Sequence, residues 1–151
     1  MARSTFTYVT YIRTTPEKLW SALTEPAFIK QYWFGMDADS SFKKGAPWKL
    51  VSDEGQVFDD GSIVESDPPR RLVIRWQHRI KPELAAEGES LCTMELEPSA
   101  GSVRLAITHS IERDPSKFIE AVSGGWPKIM SNLKSLLETG SIAMNEPYPR
   151  K

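Results

Sequence analysis

Hydrophobic positions along this chain follow two different periods. Over residues 123–140, which read SGGWPKIMSNLKSLLETG, Trp126, Ile129, Met130, Leu133, Leu136 and Leu137 recur at three- and four-residue steps. Lys128, Ser131, Asn132, Lys134, Ser135 and Glu138 fill the opposite side, so an amphipathic helix with one apolar stripe is predicted. Gly140 stands where a left-handed residue would end it, and Pro127 suits a first helical turn, where its missing N–H has no intrahelical partner. Upstream, Asp114, Pro115 and Ser116 form another helix start, with Phe118, Ile119 and Val122 leading towards the stripe. A continuous helix would put Pro127 in its interior at a cost of roughly 3 kcal/mol. The pattern therefore predicts one long helical element over residues 115–139, bent or briefly interrupted near 124–127.

The rest of the chain is organised to cover that stripe. Residues 6–13 are rich in aromatic and β-branched side chains, and Phe6, Tyr8, Thr10 and Ile12 share one parity, which predicts a strand. Thr15, Pro16 and Glu17 then supply a hydroxyl cap, a first-turn proline and a first-turn acid for a helix with Leu19, Trp20 and Leu23 on its apolar side. Pro26 ends that helix and opens a second short one carrying Phe28, Ile29, Tyr32 and Trp33. From Gly35 to Glu112 the period changes to two. KKGAP, DEGQ, DDGS, SDPPR and PSAGS read as turns or loops between about six strands. Leu72, Ile74, Trp76, His78 and Ile80 share one parity, as do Cys92, Met94 and Leu96, and Val103, Leu105, Ile107, His109 and Ile111; Trp48 and Leu50 repeat the pattern more briefly. This is an antiparallel sheet with one covered face. Residues 81–89, KPELAAEGE, read as a mobile polar loop, and residues 141–151 as a loosely attached arm.

One arrangement satisfies every apolar face. A curved antiparallel sheet wraps the last helix, two short helices close one end, and the space between sheet and helix, lined by concave side chains, suits a small apolar ligand. The expected class is α+β, in the order strand, two helices, six strands, helix. At 151 residues the chain is read as a single domain, 1–151, able to bury a substantial core. A net charge of −1 without basic runs argues against a nucleic-acid or anionic-membrane partner. The chain lacks an apolar run of membrane-spanning length and a signal peptide's hydrophobic block, and its one cysteine, Cys92, fits a reducing compartment, so a cytoplasmic location is expected.

Read together, TPEKLWSALTEP, the pair Tyr32 and Trp33, DPPRRLVIRWQ and GGWPKIMSNLKSLLETG resemble, in order and spacing over residues 6–140, the START-like or SRPBCC superfamily with its helix-grip fold. They are most similar to the branch named after the homologue of the activator of the ninety-kilodalton heat-shock-protein ATPase. The resemblance implies a hydrophobic cavity used in the superfamily for lipids, polyketides, hormones and other apolar molecules, with some relatives enzymes, including aromatase or cyclase types. A chaperone partner is not expected from it, because the eukaryotic co-chaperone carries a further N-terminal domain for which these 151 residues leave no room.

Candidate chemistry is sparse. The expected ligand-lining residues are Trp33, Trp48, Trp76, Trp126, Met94, Met130, His78 and His109: indoles for broad apolar walls with one donor each, thioethers for adaptable packing, imidazoles for proton transfer or anchoring. Against this stand a purely structural role for each tryptophan and methionine, and histidines bonded to backbone or water near strand ends. Asp37, Asp39, Asp59 and Asp60 read as solvated turn acids, and Arg71, Arg75 and Arg79 as outer-face charges. No catalytic triad, metal-ligand spacing or phosphate loop can be read, so no cofactor and no metal are expected. The reading is a carrier or sensor of a small hydrophobic molecule, with a homodimer allowed. An enzyme using His78 or His109, or a chaperone-directed module, are the alternatives.

Overall fold

The two periods become a sheet and a helix in the computed structural model, which describes residues 3–144. Along the chain lie β1 (Ser4–Ile12), α1 (Pro16–Thr24), α2 (Pro26–Tyr32), β2 (Asp37–Asp39), β3 (Pro47–Val51), β4 (Val57–Asp67), β5 (Arg71–His78), α3 (Pro82–Ala85), β6 (Ser90–Ser99), β7 (Ser102–Ile111) and α4 (Lys117–Thr139). The strands form one antiparallel sheet in the order β1-β7-β6-β5-β4-β3-β2. Only the first strand is displaced from its sequence neighbours: it pairs β7 across the length of the chain, which turns a meander into a curved sheet around α4. Register shifts at Leu50/Val51 and Ile63/Glu65 add to the bend, as extra residues on one strand do. This is the helix-grip arrangement, with two short helices after the first strand.

Alternation places the side chains as expected. Leu72, Ile74 and Trp76, then Cys92, Met94 and Leu96, then Val103, Leu105, Ile107, His109 and Ile111 all face the buried side. Thr15 caps α1 through its hydroxyl, which accepts from Lys18 N at 3.2 Å, and Glu25 is extended before Pro26. At the other end of the chain Gly140, at φ 87°, terminates α4 in the left-handed region that a side chain would disfavour.

Three expectations need correction. First, α4 runs unbroken from Lys117 to Thr139, capped by Ser116, whose hydroxyl accepts from Ile119 N at 3.1 Å, and Pro127 sits in its interior rather than in a first turn. The energy balance explains this. An interior proline costs about 3 kcal/mol, whereas Phe118, Ile119 and Trp126 before it and Met130 and Leu133 after it are buried on one face, at roughly 1.5–3 kcal/mol each, and a break would put one group out of phase.

Second, residues 81–89 are not a free loop. They fold into α3 with Leu84 buried, Gln77 Nε2 donates to Ala85 O at 3.0 Å, and Glu87 caps the start of α4. Its carboxylate accepts from Ser116 Oγ at 2.5 Å, Lys117 N at 2.8 Å and Phe118 N at 3.3 Å. Partial burial alone would raise the acid's pKa, but these three bonds, with Arg113 nearby, outweigh it and hold Glu87 below the usual carboxylate range. Glu87→Gln keeps the shape and removes the charge. It is expected to cost about 1 kcal/mol in urea denaturation at neutral pH, an effect that fades as pH falls below the acid's range.

Third, DDGS is not a turn but the interior of β4. The expected C-terminal arm falls mostly on residues 145–151, outside the described residues. Its first part is held by the fully buried Asn132, whose Oδ1 accepts from Ala143 N at 3.0 Å and Met144 N at 2.8 Å while Nδ2 donates to Met144 O at 2.9 Å.

Candidate functional site

The sheet does not close completely on α4. At the end where β4 and β5 pass under the first half of α4, a cleft of about 270 Å³ remains open, roofed by the α3 segment. Trp33 at the end of α2, Trp76 on β5 and Trp126 on α4 form its inner wall. Ring centroids lie 6.1 Å apart for Trp33 and Trp76, 5.3 Å for Trp33 and Trp126, and 5.8 Å for Trp76 and Trp126, the two contacts of Trp126 being edge-on. Phe58, Ile80, Leu84 and Phe118 also line it, and α4 contributes Ala121, Val122, Gly125 and Ile129. Small residues at 121 and 125, one helical turn apart, are what leave the space.

Among the described residues, three with polar or charged side chains line this cleft besides the tryptophans: Asp59, His78 and Lys81. Asp59 faces inward because it shares the parity of Gly61 and Ile63 on β4, and the β4–β5 register sets it opposite His78. Its Oδ1 accepts from Trp76 Nε1 at 3.0 Å and meets His78 Nδ1 at 2.8 Å. Lys81 N–H donates to His78 Nε2 at 3.1 Å, so Nε2 is bare and the ring hydrogen sits on Nδ1, pointing at the carboxylate. The His78 lone pair is thus already occupied by backbone and is not free to take a proton from a ligand.

His109 lies behind the wall, fully buried. Trp126 Nε1 donates to its Nδ1 at 3.1 Å, which leaves Nε2 carrying the hydrogen towards Ser90 Oγ at 2.8 Å; Ser90 in turn donates to Trp76 O at 3.2 Å. Burial drives the imidazole's pKa down to about 3, so it is neutral at any ordinary pH. Ser90 beside His109 has the look of a nucleophile and its base, yet the geometry is inverted: the nitrogen facing the hydroxyl already holds a hydrogen. The set fixes the Trp126 indole in place and does no proton chemistry.

The structure therefore sorts the eight expected ligand-lining residues. Trp33, Trp76, His78 and Trp126 come together on the cleft. Trp48, Met94, Met130 and His109 do not line it. Trp48 and Met94 border a near-closed gap of about 10 Å³ behind Trp76, while Met130 and His109 are packed in the core. Alternation gives the face of a residue but not its distance along the strand from the open end. The pairing of the two histidines is also absent: each has its own partners, and only the Phe118 ring lies against both, at 6.1 and 5.2 Å between centroids. Asp59, expected as a solvated turn acid, is the residue the sequence reading misplaced; only 8% of it is exposed. The signal that could have found it was its even, four-residue spacing from Ile63 within one strand. Asp37 and Asp39, by contrast, are at least partly exposed on β2. Among the described residues no group of His, Cys, Asp or Glu could hold a metal ion.

A sequence model of the family described as "Activator of Hsp90 ATPase homolog 1-like protein" matches residues 13–138. Among solved structures, that of protein MLL2253 from Mesorhizobium loti superposes with a TM-score of 0.79 at 26% identity, covering 92% of this chain and 100% of that one. The Aha1 dimer from Colwellia psychrerythraea gives 0.72 at 22% identity, over 91% of this chain and 98% of that one. DynU16, a protein of the dynemicin biosynthetic locus, gives 0.77 at 20% identity, over 93% of this chain but 50% of its own length. The last two are likenesses of fold. No curated protein matches the chain, and no helix among the described residues is long and apolar enough to cross a membrane.

Proposed function

The chain belongs to the family of Activator of Hsp90 ATPase homolog 1-like proteins, and on that footing we propose that it binds a small hydrophobic molecule in the cleft between sheet and α4, as a non-catalytic carrier or sensor. The observation that carries this reading is an open cleft of about 270 Å³ lined by three indoles, between the sheet and α4. Small-molecule sites commonly span about 300–1,000 Å³, so the occupant is compact, of one or two rings. The non-catalytic part is supported by the hydrogen bonds: both imidazoles are committed to fixed partners, and neither presents a free lone pair to the cleft.

Gly125 gives a direct test. It lines the cleft from α4, and a Cβ placed there meets nothing within 4 Å. Gly125→Leu is expected to fill the space with a side chain the helix favours, raising stability by about 0.5–1 kcal/mol from the helix term while abolishing binding. Thermal-shift screening of wild type against lipid and aromatic libraries, repeated on the variant, reads both effects. A ligand that binds the two proteins equally well sinks the cleft as its site.

Family membership favours one second reading, a partner-binding role on a chaperone. A changed chaperone ATPase rate on adding the purified protein supports it, and an unchanged rate counts against it.

A further inference from the structure

Resting on the reading of the cleft as a ligand site, we infer that its preferred occupant is an aromatic molecule carrying a hydrogen-bond donor, a phenol-like hydroxyl, which it gives to Asp59 Oδ2. The Asp59 side chain is 12% exposed, in a largely apolar cleft. Both donors that reach it, Trp76 Nε1 and His78 Nδ1, converge on the same oxygen, Oδ1. Oδ2 has no hydrogen bond among the described residues, and no buried side-chain polar atom there lacks a partner, so Oδ2 opens on the cleft that Asp59 lines. The protein has thereby spent its own donors on orienting the carboxylate and left one acceptor facing the space.

A ligand that fills the cleft closes off that oxygen. If it offers a donor, a charge-assisted hydrogen bond replaces solvent; if it offers none, the carboxylate oxygen is stranded, and the difference corresponds to about tenfold or more in affinity. The three indole rings around the space select a flat, polarisable body for the rest of the molecule. Charge decides between a neutral donor and a cation. Lys81 lines the same cleft, and its positive charge offsets the attraction of Asp59 for an incoming cation, while Asp59 repels an anion. A neutral donor is subject to neither effect.

The test uses the full chain and a matched series followed by tryptophan fluorescence at neutral pH: naphthol, naphthalene, naphthyl methyl ether and naphthoate. Naphthol is expected to bind about tenfold or more tighter than the hydrocarbon and the ether. In Asp59→Asn the amide oxygen can keep both contacts from Trp76 and His78, which turns the amide nitrogen, a donor, to the cleft. The order is then expected to invert, with the ether or naphthyl methyl ketone ahead of naphthol. Equal affinities across the wild-type series overturn the donor rule and leave the cleft reading standing; binding by no member brings down both. Naphthoate binding best also overturns it and makes Lys81 the anchor. Should Asp59→Asn not fold, the wild-type series decides alone.

Discussion

Gly61→Ala is expected to cost about 3 kcal/mol or more, a large share of the roughly 5–15 kcal/mol that holds a domain of this size together. Gly61 lies in the middle of β4, paired with Trp48 on β3 and Trp76 on β5. A methyl group added there would run into the carbonyl group of Arg75, deep inside van der Waals contact. That obstacle is backbone, so no rotamer change relieves it, and β4 would have to move away from β5. The missing side chain has a second use: across the three strands, Trp48 and Trp76 flank Gly61 and their rings meet at 4.4 Å between centroids. Moving β4 therefore disturbs the indole wall and, two residues away, Asp59. Urea denaturation gives the number. Gly124→Ala is the control, since a Cβ there meets nothing within 4 Å and the residue lies inside α4; it is expected to stabilise by about 0.5–1 kcal/mol. A loss under about 1 kcal/mol for Gly61→Ala would show that the β4–β5 spacing is soft.

Much of this architecture was legible because one face of the sheet is buried and the other is wet, which writes period two into the sequence wherever a strand runs. The stripe of α4 was readable for the same reason at period 3.6. What could not be read were the points where a long-range contact overrules a local rule. DDGS carries the composition of a turn, yet Asp59 is held inside β4 because an indole and an imidazole from the next strand reach its carboxylate, and only the register brings them there. Residues 81–89 look polar and loose, but Leu84 finds the core and Glu87 finds the start of α4, about 30 residues further on. Pro127 is tolerated inside a helix because the apolar residues on both sides of it must stay in phase. The candidate site depends on all three: without Asp59 there is no acceptor, without α3 no roof, and without an unbroken α4 no opposing wall.

Acid is expected to destabilise the protein through His109, by about 1.4 kcal/mol for each pH unit below about 6.5. The imidazole has its ordinary pKa of 6.5 in the unfolded chain and about 3 when buried. Between those values the unfolded state binds a proton that the folded state refuses, so stability is complete above pH 6.5 and declines as pH falls towards 3. The groups the ring touches, Ser90, Trp126, Trp76 and Phe118, are all uncharged and offer the cation nothing. Glu87 and Glu138, both held below the carboxylate's usual 4.5, add their own acid loss only beneath that value. From pH 6.5 to 4.5 the expected loss through His109 is roughly 2–3 kcal/mol. In the folded protein the imidazole takes a proton only near pH 3, where a hydrogen on Nδ1 would displace the Trp126 N–H that now donates there. His109→Gln supplies an amide donor and acceptor that do not titrate. It is expected to cost about 1–2 kcal/mol at neutral pH and to flatten the slope in that interval, as read by urea denaturation at a series of pH values. A wild-type slope near zero there, or an unchanged slope in His109→Gln, would place the titrating group elsewhere and release Trp126 from this account.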